Sequence, residues 1–333
     1  MLKSVIIGCG AISHTHINSI NGNNLGKIIA VCDIVEERAK AVSAEAGCDK
    51  YYTDYKTMLT ECSEADVVHI CTPHYLHAEM AIFALEHGFD VYLEKPCAMT
   101  PTEAKTIVEA SERTGKKVCV SFQNRLVKTT AAAKRIISEG RLGKLLGMKG
   151  IVTWERSGKY YTESGWRGTW ATEGGGVLMN QSIHTLDLLY CFGGKVKSVE
   201  GSVALRKNKG TIEVEDTAEA TILFENGISA IFYATNCNVV TTPAELELIL
   251  EKGRLLISND ILYEITDGHL REAAENTGAA VGKSVWGSGH TLMIGNFYKV
   301  LRGEQAEYCD ITDAYQVLEI IEKIYETSPL KLR

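Results

Sequence analysis

Over the first 121 residues, short apolar runs alternate with segments whose apolar positions recur at helical spacing. Runs at 3–7, 28–32, 66–71, 89–93 and 117–121 have strand length, while 13–20, 36–46, 75–87 and 101–114 carry the helical pattern. This rhythm predicts a parallel sheet covered by helices. Beyond Gln123 the pattern changes to a helix at 128–139, a glycine-rich middle, and long β-branched segments such as 196–205, 214–225 and 228–236. These predict an α+β domain on a large, mostly antiparallel sheet. Asn226-Gly227, between two of those segments, predicts a two-residue hairpin with positive φ at both positions. Helical patterns at 289–302 and 311–326 close the chain, and no repeat or low-complexity segment interrupts it. The expected fold class is therefore α/β, with a doubly wound parallel sheet over 1–122 and an α+β domain over 123–333.

The 333 residues suffice for two buried cores. A net charge of -7 speaks against nucleic acid or an anionic membrane as partner, because both attract clustered Lys and Arg. Ten scattered cysteines without a Cys-x-x-Cys pair fit reduced thiols in a cytoplasmic protein better than disulfides, and no metal site is expected. The first apolar run is short, and none approaches the roughly 18 residues of a membrane span, so neither a signal peptide nor a span is expected.

Chemistry is concentrated where predicted strands end. Val5-Ile6-Ile7-Gly8-Cys9-Gly10-Ala11-Ile12-Ser13 reads as strand, glycine turn and helix start. Gly8 permits the tight turn, Gly10 lets backbone approach a pyrophosphate, and Ser13 stands where a small residue is needed. Asp33 ends the second strand, where a carboxylate accepts from ribose hydroxyls and repels a 2'-phosphate; the alternative role is a helix cap. Ile34 and Val35 follow, so no adjacent arginine serves that phosphate, and NAD is favoured over NADP. Thr72-Pro73-His74 follows the third strand and should flank a cofactor, with His74 near the site and His77 structural. Val91-Tyr92-Leu93 runs into Glu94-Lys95-Pro96: a lysine there can meet substrate beside the cofactor, while Glu94 braces the turn.

Gly8-Cys9-Gly10, Thr72-Pro73, Glu94-Lys95-Pro96, Gln123-Asn124-Arg125 and Gly174-Gly175-Gly176 followed by His184 and Asp187 together resemble the Gfo/Idh/MocA oxidoreductase family over nearly the whole length. The resemblance implies an N-terminal Rossmann domain, a C-terminal open-faced sheet that mediates homodimers or homotetramers, and NAD held by Gly8, Gly10, Ala11, Ile12, Asp33, Thr72, Pro73, His74, Glu94, Lys95 and Gln123. It also implies that Lys95 and His184 face the substrate and that the Lys95–Pro96 bond is cis. The stretch Val177 to Asp187 is consistent with helix, which places Asn180 and His184 on one face. Many members have aspartate where this chain has Asn180, and an amide does not stabilise imidazolium as a carboxylate does. Asp187 either orients the His184 ring or is solvated or bonded within the helix.

Tyr160-Tyr161 and Trp166-Arg167-Gly168-Thr169-Trp170 bring flat rings and polar tips ahead of the triple glycine. Aromatic faces pack on the C–H faces of sugar rings, so Tyr161, Trp166 and Arg167, with Asn180, are candidates for binding a sugar, cyclitol or sugar derivative. The expected reaction is hydride transfer between a substrate carbinol and nicotinamide, with Lys95 or His184 taking the hydroxyl proton. Two alternatives stand beside it: an enzyme that uses transient oxidation to cleave or eliminate with retained NAD, and a non-catalytic NAD- or sugar-binding regulator.

Overall fold

The computed structural model describes residues 1–22, 24, 26–276 and 289–332. The chain forms two compact units. The first comprises Met1–Ala98, Thr102–Leu126 and the described residues of the later stretch that ends at Tyr315. The second takes Met99–Pro101, the described residues from Val127 to Asn276, and the C-terminal segment from Gln316. This differs from a single boundary near residue 122, because α9 (Gly289–Leu301) belongs to the first unit. The physical reason is Tyr298 of α9, fully buried, whose hydroxyl meets His69 at 2.8 Å and also bonds Ser4.

The first unit carries a six-stranded sheet of order β3-β2-β1-β4-β5-β6. Its strands are β1 (Leu2–Ile7), β2 (Gly26–Cys32), β3 (Lys50–Tyr52), β4 (Val67–Ile70), β5 (Asp90–Leu93) and β6 (Val118–Val120). All pairings are parallel. Val5, Ile6, Val68, Ile70, Val91 and Val120 are wholly buried, as parallel strands covered on both faces require. The helices are α1 (Ser13–Gly22), α2 (Glu36–Ala46), α3 (Tyr55–Glu61), α4 (His77–Glu86) and α5 (Pro101–Thr114). Strand order reverses between β1 and β4, and such a switch point opens a ligand crevice beyond the carboxyl ends of the strands.

The second unit carries an eight-stranded sheet of order β14-β13-β12-β11-β7-β10-β9-β8. Its strands are β7 (Leu145–Thr153), β8 (Val196–Ala204), β9 (Thr217–Phe224), β10 (Ser229–Thr235), β11 (Glu245–Leu250), β12 (Gly253–Ser258), β13 (Ile261–Thr266) and β14 (His269–Glu275). Every pairing is antiparallel except β7 with β10. Along β10 the alternation is plain: Ala230, Phe232 and Ala234 are buried, whereas Ser229, Ile231 and Tyr233 face outward. The described helices outside the first sheet are α6 (Lys128–Ser138), α7 (Gly158–Thr162), α8 (Ile183–Gly193), α9 and α10 (Ile311–Thr327). Gly150 on β7 lets α8 approach, since a Cβ there would come within 2.7 Å of the Thr185 methyl.

Two local expectations are corrected. The β9–β10 hairpin forms, but only Gly227 has positive φ, and Gly227 N–H donates to the Phe224 carbonyl at 3.0 Å while Phe224 N–H donates to Ile228 at 2.9 Å. The turn is thus a longer one with glycine in the left-handed position. Second, the segment before His184 is not one helix: residues 177–182 make turns, and α8 starts at Ile183. Ser182 Oγ donates to the Val177 carbonyl at 2.7 Å, closing a turn there instead of continuing a helix.

Candidate active site

In the first unit, the glycine turn is shaped as a phosphate cradle. Gly8 adopts φ +92°, and a Cβ on it would lie 2.7 Å from the Cys71 backbone, so only glycine lets this turn pack on the end of β4. A Cβ on Gly10 would meet nothing within 4 Å, which leaves the backbone open to an approaching group. Ser13 Oγ donates to the Gly10 carbonyl at 2.7 Å and fixes the helix start. Ala11 is exposed and Ile12 half-buried. Asp33 accepts from Cys9 N–H and from Val35 N–H, each at 2.9 Å, and so is locked against the glycine turn. Arg38, one turn into α2, brings a guanidinium within 3.4 Å of Asp33, a cation that reading only the adjacent residues missed. These residues fit a dinucleotide: open glycine backbone at a helix start, and an acidic group at the neighbouring strand end.

The turns after β4 and β5 are tied together by His77, whose ring nitrogens face the Pro96 carbonyl at 2.6 Å and the Thr72 carbonyl at 2.9 Å. Thr72 and Pro73 are half-buried and His74 buried. The Lys95–Pro96 peptide is cis and Lys95 is half-buried. Gln123 lies just past β6, only 3 % exposed.

Glu94 anchors a buried hydrogen-bonded chain. Its Oε1 meets His16 Nε2 at 2.9 Å; His16 Nδ1 meets His69 Nδ1 at 2.9 Å; His69 Nε2 meets the Tyr298 hydroxyl, which bonds Ser4. Burial pulls His16 below its ordinary pKa and His69 well below, so both rings are neutral. Burial alone would raise the Glu94 carboxyl, but hydrogen bonds from His16 and His290 outweigh it and hold the group well below the usual carboxylate range. With an acceptor-only carboxylate at one end, every donor is fixed: His16 donates to Glu94, His69 to His16, Tyr298 to His69, and Ser4 to Tyr298. Glu94 therefore braces the turn that carries Lys95. No sequence motif marked His16, His69 or His290, because their partners lie far along the chain.

In the second unit, the triple glycine is demanded by close packing. Gly174 has φ +79° with Met99 against it, and a Cβ on Gly176 would run into the Glu215 carbonyl. Gly176 and Leu178 N–H groups donate to the buried Glu215 carboxylate at 2.9–3.0 Å. Burial nevertheless raises Glu215 to about 7. His184 is half-buried on the first turn of α8, and Asp187 is fully buried, which removes the solvated alternative for it.

Asn180 is on the preceding turn, where its Nδ2 donates to Glu173 at 2.6 Å and faces the Tyr160 hydroxyl at 3.5 Å. Glu173, fully buried, brings a carboxylate to the amide that stands in the usual aspartate position. Gln181 donates to the Tyr160 hydroxyl at 3.0 Å. Arg167 stacks on Tyr160 at 4.6 Å and on Trp166 at 4.7 Å; Arg156 stacks on Trp154 at 4.8 Å and on Tyr160 at 5.2 Å. Among the described residues, the Nε atom of each arginine has no hydrogen-bond partner. Tyr161, by contrast, is 2 % exposed, packs with Ile212 and Val214, and accepts from Asn236 at 2.9 Å. Tyr160 meets Asn180, Gln181 and both arginines directly, while Tyr161 reaches Gln181 through Asn236, whose Nδ2 also donates to Gln181 Oε1 at 2.8 Å. Among the described residues, no group of His, Cys, Asp and Glu is arranged to hold a metal, and no helix is long and apolar enough to cross a membrane.

A model of the oxidoreductase family with an NAD-binding Rossmann fold matches residues 2–122, and a model of the GFO/IDH/MocA C-terminal domain matches residues 130–256. The chain is 31 % identical over 244 residues to D-glucoside 3-dehydrogenase of Escherichia coli, covering 68 % of each chain. It is 28 % identical over 260 residues to the NAD(+)-dependent scyllo-inositol 2-dehydrogenase of Bacillus subtilis, covering 77 % of this chain and 73 % of that one. Among solved structures, the WlbA dehydrogenase from Bordetella pertussis in complex with NADH and UDP-GlcNAcA superposes with a TM-score of 0.84 at 28 % identity, covering 98 % of this chain and 96 % of that one. On these matches and the glycine-turn geometry, the chain belongs to the Gfo/Idh/MocA oxidoreductase family and carries its NAD-binding Rossmann domain followed by its C-terminal domain.

Proposed function

We propose that the protein is an NAD-dependent dehydrogenase acting on a hydroxyl of a sugar, cyclitol or sugar derivative, with Lys95 and His184 handling the hydroxyl proton. NAD, when bound, accepts or returns the hydride. Gly8, Gly10, Ala11 and Ile12 hold its pyrophosphate through backbone, Asp33 its ribose, and Thr72, Pro73, His74 and Gln123 flank its ring. Lys95 supplies a cation that stabilises the developing alkoxide, and His184 offers a ring nitrogen to the departing proton. Asn180, Tyr160, Trp166 and Arg167 orient substrate hydroxyls, with ring faces against C–H groups and guanidinium donors toward oxygen.

The observation that carries this reading is one sheet edge that combines an open glycine turn, a carboxylate at the β2 end, and a half-buried lysine next to an ionised, hydrogen-bonded Glu94. The family relatives named as dehydrogenases of glucosides and inositol support the substrate class. The test is an NADH-forming screen over sugars, inositols, sugar acids and nucleotide sugars, repeated with NADP. Turnover of at least one polyol with NAD is expected; bond cleavage without net NADH, or binding without turnover across the whole set, would refute it. Preference for NADP would instead give Arg38 the role assigned to Asp33.

A further inference from the structure

Two side chains of the first unit are deeply buried and carry a polar atom without a hydrogen-bond partner among the described residues: Gln123 Oε1 and His290 Nδ1. Each residue is only 3 % exposed. A buried acceptor that lost water and gained no donor is costly, and native proteins keep few of them, so a pair from neighbouring positions calls for an occupant. They are neighbours because Gly289, which precedes His290, packs directly on Gln123: a Cβ there would lie 2.5 Å from the Gln123 carbonyl oxygen and 3.0 Å from its Cβ.

The donor and acceptor roles follow from Glu94. His290 Nε2 stands 3.5 Å from Glu94 Oε1, and an ionised carboxylate only accepts. Nε2 therefore carries a proton toward Glu94, and in the tautomer with that single ring proton Nδ1 presents a lone pair. Gln123 Oε1 presents another. A single hydroxyl has one proton and leaves one of the two acceptors unmet. A primary carboxamide has two N–H donors on one nitrogen and can meet both.

Glu94 directly follows β5, and Gln123 lies three residues past β6, on the carboxyl edge where ligands of such sheets sit. We propose that Gln123 and His290 receive the carboxamide NH2 of the nicotinamide, so that His290 connects the ring to the Glu94 anchor. This makes His290 a cofactor-binding residue that no sequence motif marked, and it rests on the reading that the nicotinamide lies beside Lys95.

The test compares two dinucleotides by calorimetric titration of the full chain: NAD, and acetylpyridine adenine dinucleotide, in which a methyl group replaces the carboxamide nitrogen. Wild-type protein should bind NAD about tenfold more tightly, the consequence of leaving buried acceptors unmet. Gln123→Leu and His290→Phe should weaken NAD binding and leave the analogue nearly unchanged, so the preference shrinks in each. Equal weakening of both ligands would mean that the residues only support the fold, and an unchanged preference would mean that water fills the site; either result overturns the inference. If wild type binds neither dinucleotide, the cofactor reading itself fails. Nitrogen NMR of histidine-labelled wild type gives a second readout that needs no variant: the His290 Nδ1 signal should move on adding NAD and stay put on adding the analogue. A signal that NAD leaves in place overturns the inference as well.

Discussion

The carboxyl edge of the six-stranded sheet and the Tyr160 cluster of the second unit solve different problems with similar residue types. In the first, Glu94, His16, His69 and Tyr298 are buried, and each hydrogen has one possible place. In the second, Tyr160, Trp166, Arg156 and Arg167 are half-buried, and the arginines stack on rings with Nε donors that meet no acceptor among the described residues. A buried chain whose protons are each placed is rigid and intolerant of change, whereas a half-buried set of stacked cations can adapt. The invariant part of a hydride-transfer reaction, the cofactor, suits the first kind of site; the variable part, the substrate, suits the second.

Acid should break the first region before the second. His16, His69 and His77 are held below the ordinary histidine value of 6.5 by burial. The unfolded chain takes up these protons below about pH 6.5 and the folded chain does not, so their contribution is complete above that pH and is lost as pH falls through it. Stability should therefore fall as pH drops from about 6.5 toward 5.5. Urea unfolding monitored across this interval should show the fall, and His69→Gln should make it shallower. A stability independent of pH there would mean that the buried chain is not built from neutral rings.

The second region should respond in affinity instead of stability. Arg167→Ala should raise KM for the substrate by roughly tenfold to a hundredfold, with kcat less affected and unfolding shifted by under about 1 kcal/mol. Steady-state kinetics with the substrate found in the screen would check this. A variant that lost stability and left KM alone would recast Arg167 as a packing residue.

Much of the frame was legible in the sequence because its signals are local. The patterns at 36–46 and 101–114 coincide with α2 and α5, where periodic apolar positions and a terminal glycine or starting proline mark the ends. Short elements escaped: β3 has three residues, too few for alternation to register. α3 has seven, although Asp54, which accepts from Thr57 N–H at 2.7 Å, is a cap signal that was there to be read. Lys95, Asp33 and the glycine turn sit at strand ends and were visible as such. His16 and His69 were not, because they are 53 positions apart and their meeting is a product of the fold. Asn180 shows the intermediate case: the missing aspartate was plain from sequence, but the carboxylate of Glu173 that bonds to it was not.

The central claim is that Lys95 and His184 serve one proton transfer. Single-turnover NADH formation by Lys95→Ala, His184→Ala and the double variant, at saturating NAD, tests this most directly. If the two groups share the task, each single change should cost about a thousandfold or more, and the double variant should fall little below the slower single one. Losses that multiply across the two sites would show independent roles and contradict the account.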